Sequence, residues 1–406
     1  MNNRKKIAVI GGGAAGFFAA LSAAKHHPEA EIHLFEKTNK LLSKVKISGG
    51  GRCNVTHDCT DINTLLLAYP RGKKKLKSIF YQFSVSDTIA WFEQRNVALK
   101  TEKDGRMFPT TDSSQTIVDA LLHEAKKHGI RIQTKSAVEK MEPSENGWTI
   151  YSNHQQIAHV DAVIVSTGGH PKKSNFEWLE KLGHRIAPPV PSLFTFNMPH
   201  EKITSLMGVV AKNTSVHLLG TKITSVGELL ITHWGMSGPA ILKASAFGAE
   251  FLAEKEYQFQ IRVQWDTSQS LEEWRTSLSS FSLQHPHKQL STLHPFTFPN
   301  RLWKYVLEKL AIDPEKRWNE LGKKNSNRIV ELITNDVFSV EGKTTFKEEF
   351  VTCGGIELSD VNTQTMESKK AKHLYFAGEV LNIDAITGGY NFQAAWSTGF
   401  VAGQLK

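Results

Sequence analysis

Lys6-Ile-Ala-Val-Ile-Gly-Gly-Gly-Ala-Ala-Gly16 is the stretch that decides the fold of this chain. An apolar strand runs into a Gly-x-Gly-x-x-Gly turn formed by Gly11, Gly13 and Gly16, an alanine-rich helix follows, and a second strand ends on Glu36. Such a turn brings backbone N–H groups to a pyrophosphate at the helix N-terminus. The carboxylate accepts hydrogen bonds from a ribose 2′-hydroxyl and repels a 2′-phosphate. The stretch therefore predicts a βαβ unit that binds a dinucleotide, FAD or NAD.

Composition describes an ordinary globular protein. The chain has 406 residues, of which 40% are hydrophobic and 22% charged, and no apolar run approaches the roughly 18 residues of a membrane span. Basic residues at 4–6 lead straight into a core strand rather than a signal peptide, so we expect no membrane association and a cytoplasmic location. Cys53, Cys59 and Cys353 are too few for a disulfide framework. The histidine spacing predicts no metal site.

The net charge of +9 suits an anionic ligand and also permits contact with nucleic acid. The densest basic run is Arg71–Lys77, and no aromatic residue interrupts it. A solvated basic face is favoured over a nucleic-acid partner. We expect a small-molecule substrate instead, and the oligomeric state stays open.

The order of motifs predicts an α/β protein with two parts. After a glycine loop at Ser48–Asn54, the hydrophobic and turn-residue pattern predicts a helix at 86–95 and a hairpin turn at Asp104-Gly105. It then predicts a helix at 113–128, a strand at 130–134 and a three-stranded meander within 136–165. The last meander strand, 162–166, runs into Thr167, Gly168 and Gly169. These residues form a second place where backbone can approach the dinucleotide closely.

Pro188, Pro189 and Pro191 mark a crossover into another domain. Strands are expected near 193–199, 209–219 and 257–266, a turn feeding a helix at 231–240, and helices from about 270 to 335. The last 60 or so residues again show the strand–turn–helix pattern of the first domain, with a strand over 372–379 and a helix that begins at Gly388–Asn391. We therefore predict a Rossmann-like domain over 1–190 and 346–406, which includes the β-meander. The insert, 191–345, is β-rich to about 266 and helical over 268–335.

Several segments in the right order resemble a bacterial family of FAD flavoproteins that includes aminoacetone oxidase and BaiN-like enzymes. The segments are 46–54, 232–239, 365–369, 376–381 and 386–391. The resemblance implies non-covalent FAD, a Rossmann-like FAD domain and an inserted domain. The chain departs from the family at Asn382–Ala385, where Asp-x-Asp-Gly is common, and at His170–Asn175, which is shorter than usual. Transfer of a particular substrate is therefore not implied.

The resemblance also assigns cofactor contacts. The residues that hold the pyrophosphate in this family match Gly11, Gly13, Ala14, Ala15 and Gly16, and the acid that binds the ribose matches Glu36. The residue that meets adenine through its backbone matches Val138, and the pair near the pyrophosphate and ribityl chain matches Gly378 and Glu379. The helix start under the pyrimidine edge of the flavin matches Gly389, Tyr390 and Asn391. A helix N-terminus there stabilises the negative charge of reduced flavin. Further candidates for cofactor contact are Lys37, Ser48, Gly49, Arg52, Cys53, Asn54, Thr167, Gly168 and Gly169.

No catalytic triad is expected, because flavin itself accepts the hydride or electrons. His233 is a candidate proton shuttle or a packed histidine. Arg52 either contacts an anionic group or ties its loop to a carboxylate, and Cys353 lies near the cofactor or in the core. The predicted function is an FAD-dependent oxidoreductase, with NAD(P)H as an open transient co-substrate. The alternatives are an RNA-modifying flavoprotein and a non-catalytic flavin-binding module.

Overall fold

The computed structural model describes residues 4–344 and 351–406. The strands are β1 Lys6–Ile10, β2 Glu31–Phe35, β3 Thr56–His57, β4 Leu99–Thr101, β5 Arg106–Pro109, β6 Arg131–Gln133, β7 Lys140–Ser144, β8 Gly147–Ser152, β9 Gln155–Val160, β10 Ala162–Val165, β11 Ile186–Pro191, β12 Thr195–Asn197, β13 Val210–Leu218, β14 Thr224–Thr232, β15 Gly235–Ser237, β16 Gln258–Gln264, β17 Asp336–Glu341, β18 Lys343–Thr344, β19 Thr352–Ile356, β20 Val361–Asn362, β21 Glu367–Ser368 and β22 Leu374–Phe376. The helices are α1 Ala14–His26, α2 Ser43–Gly51, α3 Ile62–Leu65, α4 Lys73–Phe80, α5 Val85–Glu93, α6 Ser114–Lys127, α7 Glu177–Glu180, α8 Pro239–Glu254, α9 Leu271–Gln284, α10 Asn300–Lys309, α11 Gly322–Thr334 and α12 Tyr390–Gly403.

Residue contacts divide the chain into two compact units. The first comprises Met1–Ser192 with Lys347–Lys406, and the second Leu193–Phe346. Each unit has a hydrophobic core of its own. Among the described residues, no helix is both long and apolar enough to span a bilayer.

A mixed seven-stranded sheet forms the centre of the first unit, in the order β20-β21-β22-β10-β1-β2-β6. The pairs from β22 to β6 are parallel, which is the Rossmann arrangement that the opening motif predicts. Strand β10 is apolar and buried along its whole length, as expected for a central parallel strand that is covered on both faces. The α/β fold class is thereby confirmed.

The meander exists, but its predicted last strand is wrong. Strands β7, β8 and β9 form the three-stranded antiparallel sheet, whereas β10 pairs with β1 in the main sheet. Strand β9 begins with Gln155 and Gln156 and is largely exposed, so it carries little hydrophobic signal. The adjacent apolar run at 162–166 was assigned to the meander in its place.

The prolines at 188, 189 and 191 lie within strand β11 rather than in a loop. Within the part of the chain that the structure describes, this strand pairs only with β19, and its register shifts between Ala187 and Val190. Proline lacks a backbone donor, and it is tolerated in a two-stranded sheet with a bulge because few ladder hydrogen bonds are lost. The chain enters the second unit two residues after Pro191.

The second unit is built on a seven-stranded antiparallel sheet in the order β17-β16-β13-β14-β15-β12-β18. The predicted turn at 231–240 is a β14–β15 hairpin, after which Pro239 opens helix α8. Strands β14 and β17 were not predicted from the sequence. The region from 270 to 335 contains helices α9, α10 and α11, as predicted, and its core includes Trp274, Trp303 and Trp318.

Candidate dinucleotide site

The N-terminus of α1 lies at the carboxyl edge of the parallel sheet. The Gly11 N–H donates to the Phe35 carbonyl at 2.8 Å, which ties the turn to the end of β2. A side chain at Gly16 would overlap the Gly11 carbonyl oxygen, so only glycine lets the helix begin this close to β1. The space where a Gly13 side chain would stand is open, and neither a capping side chain nor an acidic residue occupies the first turn of α1. The helix start is therefore shaped to receive an anionic group.

Glu36 is held firmly at the end of β2. Its Oε2 accepts a hydrogen bond from the Gly12 N–H at 2.9 Å, and its Oε1 accepts from the Thr38 N–H at 2.8 Å and from Thr38 Oγ1 at 2.9 Å. The Ser136 N–H donates to the Glu36 carbonyl at 2.9 Å. This contact brings the segment that contains Val138 beside Glu36, as the proposed adenosine site requires.

The segments that follow two more strands of the sheet also lie near the start of α1. Gly378, after β22, lies against Ala15: a side chain at 378 would approach Ala15 Cβ to 2.7 Å. Gly169, after β10, lies against Glu379: a side chain at 169 would approach the Glu379 carboxyl group to 2.9 Å. The predicted residues at 167–169 and 378–379 are thus brought together with the glycine turn.

Glu379 links three segments of the chain. Its Oε2 accepts from Lys44 Nζ at 2.7 Å, and its Oε1 accepts from the Thr352 N–H at 3.1 Å. The Thr352 hydroxyl is buried and has no hydrogen-bond partner in the described part of the chain. Nearby, the pKa of His170 is lowered, mainly by burial and then by the positive charge of Lys37. The surroundings of the α1 N-terminus thus carry two lysines and an unpaired hydroxyl.

Helices α1 and α12 pack side by side and run parallel. Side chains at Gly399 and Gly403 would overlap the carbonyl oxygens of Ala15 and Ala19, so the same four-residue step is matched on both helices. Helix α12 begins at Tyr390, nine residues ahead of Gly399. Helix α1 begins only one residue ahead of Ala15. At about 1.5 Å per residue, the N-terminus of α12 therefore projects roughly 12 Å beyond that of α1 in the same direction. The small-residue pair Gly399-x-x-x-Gly403 was the sequence signal for this contact, and sequence reasoning missed it.

The start of α12 is held by the segment that follows the glycine loop. His57 Nδ1 lies 3.1 Å from the Gly388 carbonyl oxygen. The Asn54 side-chain amide is oriented so that both its oxygen and its nitrogen form hydrogen bonds. The oxygen accepts from the Gly389 N–H and the nitrogen donates to the Thr56 carbonyl, each at 3.0 Å. Gly389 itself has a φ of 91°, a conformation that favours glycine. Asn54, a candidate for cofactor contact, therefore binds the backbone at the start of α12.

The loop before α12 is fixed by a buried ion pair. The Arg71 guanidinium donates from two nitrogens to the Asp384 carboxylate, which is fully buried and also accepts from Ser192 Oγ. The next residue of the loop, Ala385, is held by the Asn391 side chain, which accepts from the Ala385 N–H at 2.9 Å and donates to the Ala385 carbonyl at 3.0 Å. The Asn391 amide thus holds protein backbone. Sequence reasoning did not identify Arg71 or Asp384 as part of the site.

The remaining candidates have structural contacts of their own. Arg52 donates to Glu102 at 2.6 Å and lies over the Phe108 ring at 4.0 Å, so it ties its loop to a carboxylate. Ser48 and Gly49 have non-helical dihedral angles near the end of α2, consistent with the predicted loop. Cys53 is buried, and burial raises the pKa of its thiol to about 12, so the thiol is not reactive.

The other two candidates are Cys353 and His233. Cys353 is buried in β19, which agrees with the core assignment. His233 belongs to the second unit, where its exposed side chain lies at the β14–β15 turn with its ring 4.3 Å from that of Trp234.

Together, the glycine turn, the acid after β2 and the parallel helix pair define a Rossmann-type dinucleotide-binding domain. The chain belongs to the family described as the HI0933-like protein Rossmann domain, whose model matches residues 5–405. This membership confirms the family suggested by the sequence motifs.

Among curated proteins, the chain is 26% identical to the 3-dehydro-bile acid delta(4,6)-reductase of Clostridium scindens over 98% of both chains. It is 28% identical to a ribosomal RNA dihydrouridine synthase of Escherichia coli, over 98% of this chain and 96% of that protein. A solved structure, the FrdA chain of E. coli quinol fumarate reductase, matches 99% of this chain and 69% of its own length with a TM-score of 0.52 and 14% identity. At that identity, the last likeness shows the fold alone.

Proposed function

We propose that the protein is an FAD-dependent oxidoreductase and that its first unit holds FAD without a covalent bond. The parallel arrangement of α1 and α12 carries this proposal, because the two helix N-termini point the same way and are offset along their axes. The first suits a pyrophosphate and the second the ring system at the far end of the same cofactor. NAD would leave the second helix start without a matching group, which is why FAD is favoured.

The residues of the site fit FAD. Gly11, Gly13 and the first turn of α1 would hold the pyrophosphate, and the open space beside Gly13 leaves room for it. Glu36 would bind the adenosine ribose, and the segment at Val138 would meet adenine. Lys44 and the unpaired Thr352 hydroxyl lie where they can bind phosphate or ribityl oxygens beside Glu379. Gly389–Asn391 would face the flavin, which supplies two-electron redox chemistry when bound.

A carbon–carbon double bond is the proposed target of reduction in a small molecule. The name of the C. scindens relative describes reduction of such bonds in a steroid, and the name of the E. coli relative describes saturation of the uracil ring. Saturating one double bond takes up two electrons and two protons. We propose NAD(P)H as the electron source and the cytoplasm as the location.

The cofactor and the electron source are tested on the purified protein. Denaturation should release FAD, and anaerobic addition of NADH or NADPH should bleach the flavin absorbance. Colourless protein that FAD cannot reconstitute would contradict the cofactor proposal. Bound FAD that no reductant or oxidant cycles would favour a non-catalytic flavin-binding module instead.

Gly13→Asp tests the location of the pyrophosphate. Gly13 is the N-cap residue of α1 and its dihedral angles suit any residue, so aspartate there adds a helix cap worth about 0.3 kcal/mol. Its charge would repel the pyrophosphate and weaken FAD binding at least about tenfold. Gly13→Asn is the matched neutral variant and should bind FAD more tightly than Gly13→Asp. Equal affinities in the two variants, measured by titration of the apoprotein, would place the pyrophosphate elsewhere.

RNA is a second candidate substrate, and one surface favours it. Lys73 and Lys77 lie four residues apart on α4, and Tyr81 directly follows the helix at the same spacing. All three side chains are exposed. The helix begins beside Ile383, in the loop that leads to α12, because a side chain at Gly72 would reach Ile383 at 2.8 Å. A row of lysines that ends on an aromatic ring can bind phosphates and stack on a base. The name of the E. coli relative points to the same class of substrate.

The two substrates are distinguished by a pair of double variants. Lys73→Glu with Lys77→Glu should abolish salt-sensitive binding of a ribosomal RNA fragment if α4 binds RNA. Lys323→Glu with Lys324→Glu, on α11, makes the same charge change at another exposed lysine pair and is the control. Equal effects of the two variants, or no RNA binding by the wild type, would leave the small molecule as the substrate.

A further inference from the structure

His57 packs directly against the start of α12. Its ring stacks on that of Tyr390, with centroids 4.5 Å apart and an interplanar angle of 23°. Because the Gly388 carbonyl oxygen is an acceptor, His57 Nδ1 must carry the proton of their 3.1 Å hydrogen bond. The opposite edge of the ring, at Nε2, faces the β4–β5 turn, where a side chain at Gly105 would reach it at 2.5 Å. His57 thus contacts both residues that flank Gly389, the N-cap of α12.

The charged groups around His57 come from three elements. Asp58 follows it in the chain, Asp104 and Arg106 face it from the β4–β5 hairpin, and Tyr390 faces it from α12. Arg106 Nε donates to Asp104 at 2.7 Å, so that pair largely cancels. The pKa of the Tyr390 hydroxyl is raised to about 12, mainly by burial, so it does not titrate near neutrality. Among the groups in this cluster, His57 is the one whose ordinary pKa lies nearest neutrality.

We propose that His57 is a positioning residue whose protonation raises the reduction potential of the bound flavin. The proposal rests on the proposed function, which puts the flavin at the N-terminus of α12. In its neutral form, His57 orients the Gly388 carbonyl and supports the Tyr390 ring. In its protonated form, it adds a full positive charge behind a helix start that already favours a negative charge.

Charge balance gives the direction of the effect. Reduction of the flavin adds electrons that are only partly neutralised by proton uptake, so the reduced cofactor is the more negative state. A cation behind the helix N-terminus stabilises that state more than the oxidised one. By linkage, flavin reduction must raise the pKa of His57 by the corresponding amount. In the structure, burial lowers the pKa of His57 below its ordinary 6.5, so the effect should grow as the pH falls below neutrality.

The test is the midpoint potential of the FAD-loaded protein, measured by dye equilibration from about pH 8 to about pH 5. His57→Asn keeps a side-chain N–H near the position of Nδ1 but cannot be protonated. The potentials of wild type and His57→Asn should agree at high pH, and that of the wild type should become the higher one as the pH falls. Parallel curves over the whole range would overturn the proposal, and a protein that binds no FAD would instead overturn the proposed function.

Two further measurements separate this role from simple packing. Tyr390→Phe keeps the stacked ring and should keep the extra pH dependence, whereas loss of that dependence would assign it to the hydroxyl. His154→Asn changes a histidine whose side chain is 97% exposed and should leave the wild-type curve unchanged. The His57 ring signals in the NMR spectrum should titrate at higher pH in the reduced protein than in the oxidised protein. Equal titration in both states would also overturn the proposal.

Discussion

Glu36 shows how hydrogen bonds from the chain can fix the orientation of a single carboxylate. Three donors fix its orientation, two of them backbone N–H groups. Since hydrogen bonds to a charged acceptor contribute roughly 1.5–3 kcal/mol, Glu36→Ala should weaken FAD binding about 10- to 100-fold. Titration of the apoprotein with FAD measures the change. Glu29→Ala removes an exposed carboxylate just before β2 and should leave the affinity unchanged, and equal losses in both variants would refute the ribose assignment.

Residues in the glycine motif could be located from the sequence because their spacing is local. Asn54 and Arg52 were also identified, but only the structure shows that Asn54 holds Gly389 and Arg52 holds Glu102. The sequence showed Arg71 in a basic run and Asp384 in a segment that departs from the family, but their pairing was not predicted because 313 residues separate them. His57 was missed for the same reason, since the two residues that it contacts at the start of α12, Gly388 and Tyr390, lie 331 or more residues away.

At the scale of elements, the start of α12 depends on the loop that precedes it. Asp384→Asn would leave the largely buried Arg71 guanidinium without its charged partner, at a cost of about 3 kcal/mol in unfolding free energy. Urea-induced unfolding would measure this loss. Glu142→Gln removes one partner of an exposed ion pair with Lys140 and should cost less than about 1 kcal/mol. Similar losses in the two variants would mean that the Arg71–Asp384 pair does not hold the loop.

Elements with a strong hydrophobic period were predicted well, and polar or unusual ones were not. The βαβ unit, α6 and α12 were found within about three residues of their observed ends. Strand β9 was missed because its residues are mostly exposed, and β11 because three of its six residues are proline. In both strands, pairing with a neighbour decides the conformation, and that neighbour is not visible in the local sequence.

For the whole molecule, the sequence predicted an α/β fold and a C-terminal segment that completes the first unit, because both follow from motif order. The contact of α12 with α1 depends on two glycines that read as ordinary small residues until their partners are known. Likewise, the antiparallel sheet of the second unit joins strands from 195 to 344, and only the fold reveals this order.

The stability of the molecule at acid pH should depend on Asp360. Its almost fully buried carboxylate accepts hydrogen bonds from the Arg185 N–H at 2.8 Å and from Arg185 Nη2 at 2.6 Å. These bonds to the Arg185 side chain, and secondarily to its backbone, lower the pKa of Asp360 from 3.8 to about 2. The unfolded chain therefore binds this proton first as the pH falls. The stabilisation is complete above about pH 4 and is lost as the pH approaches 2.

Thermal unfolding of the wild type and of Asp360→Asn at several pH values tests this dependence. The variant should be less stable than the wild type near neutrality, and the difference should shrink below about pH 4 because protonation then neutralises the wild-type carboxyl as well. Asp119→Asn alters an exposed carboxylate on α6 and should follow the wild-type profile. A difference between wild type and Asp360→Asn that stays constant down to pH 2 would mean that the lost stability comes from packing rather than from the charge.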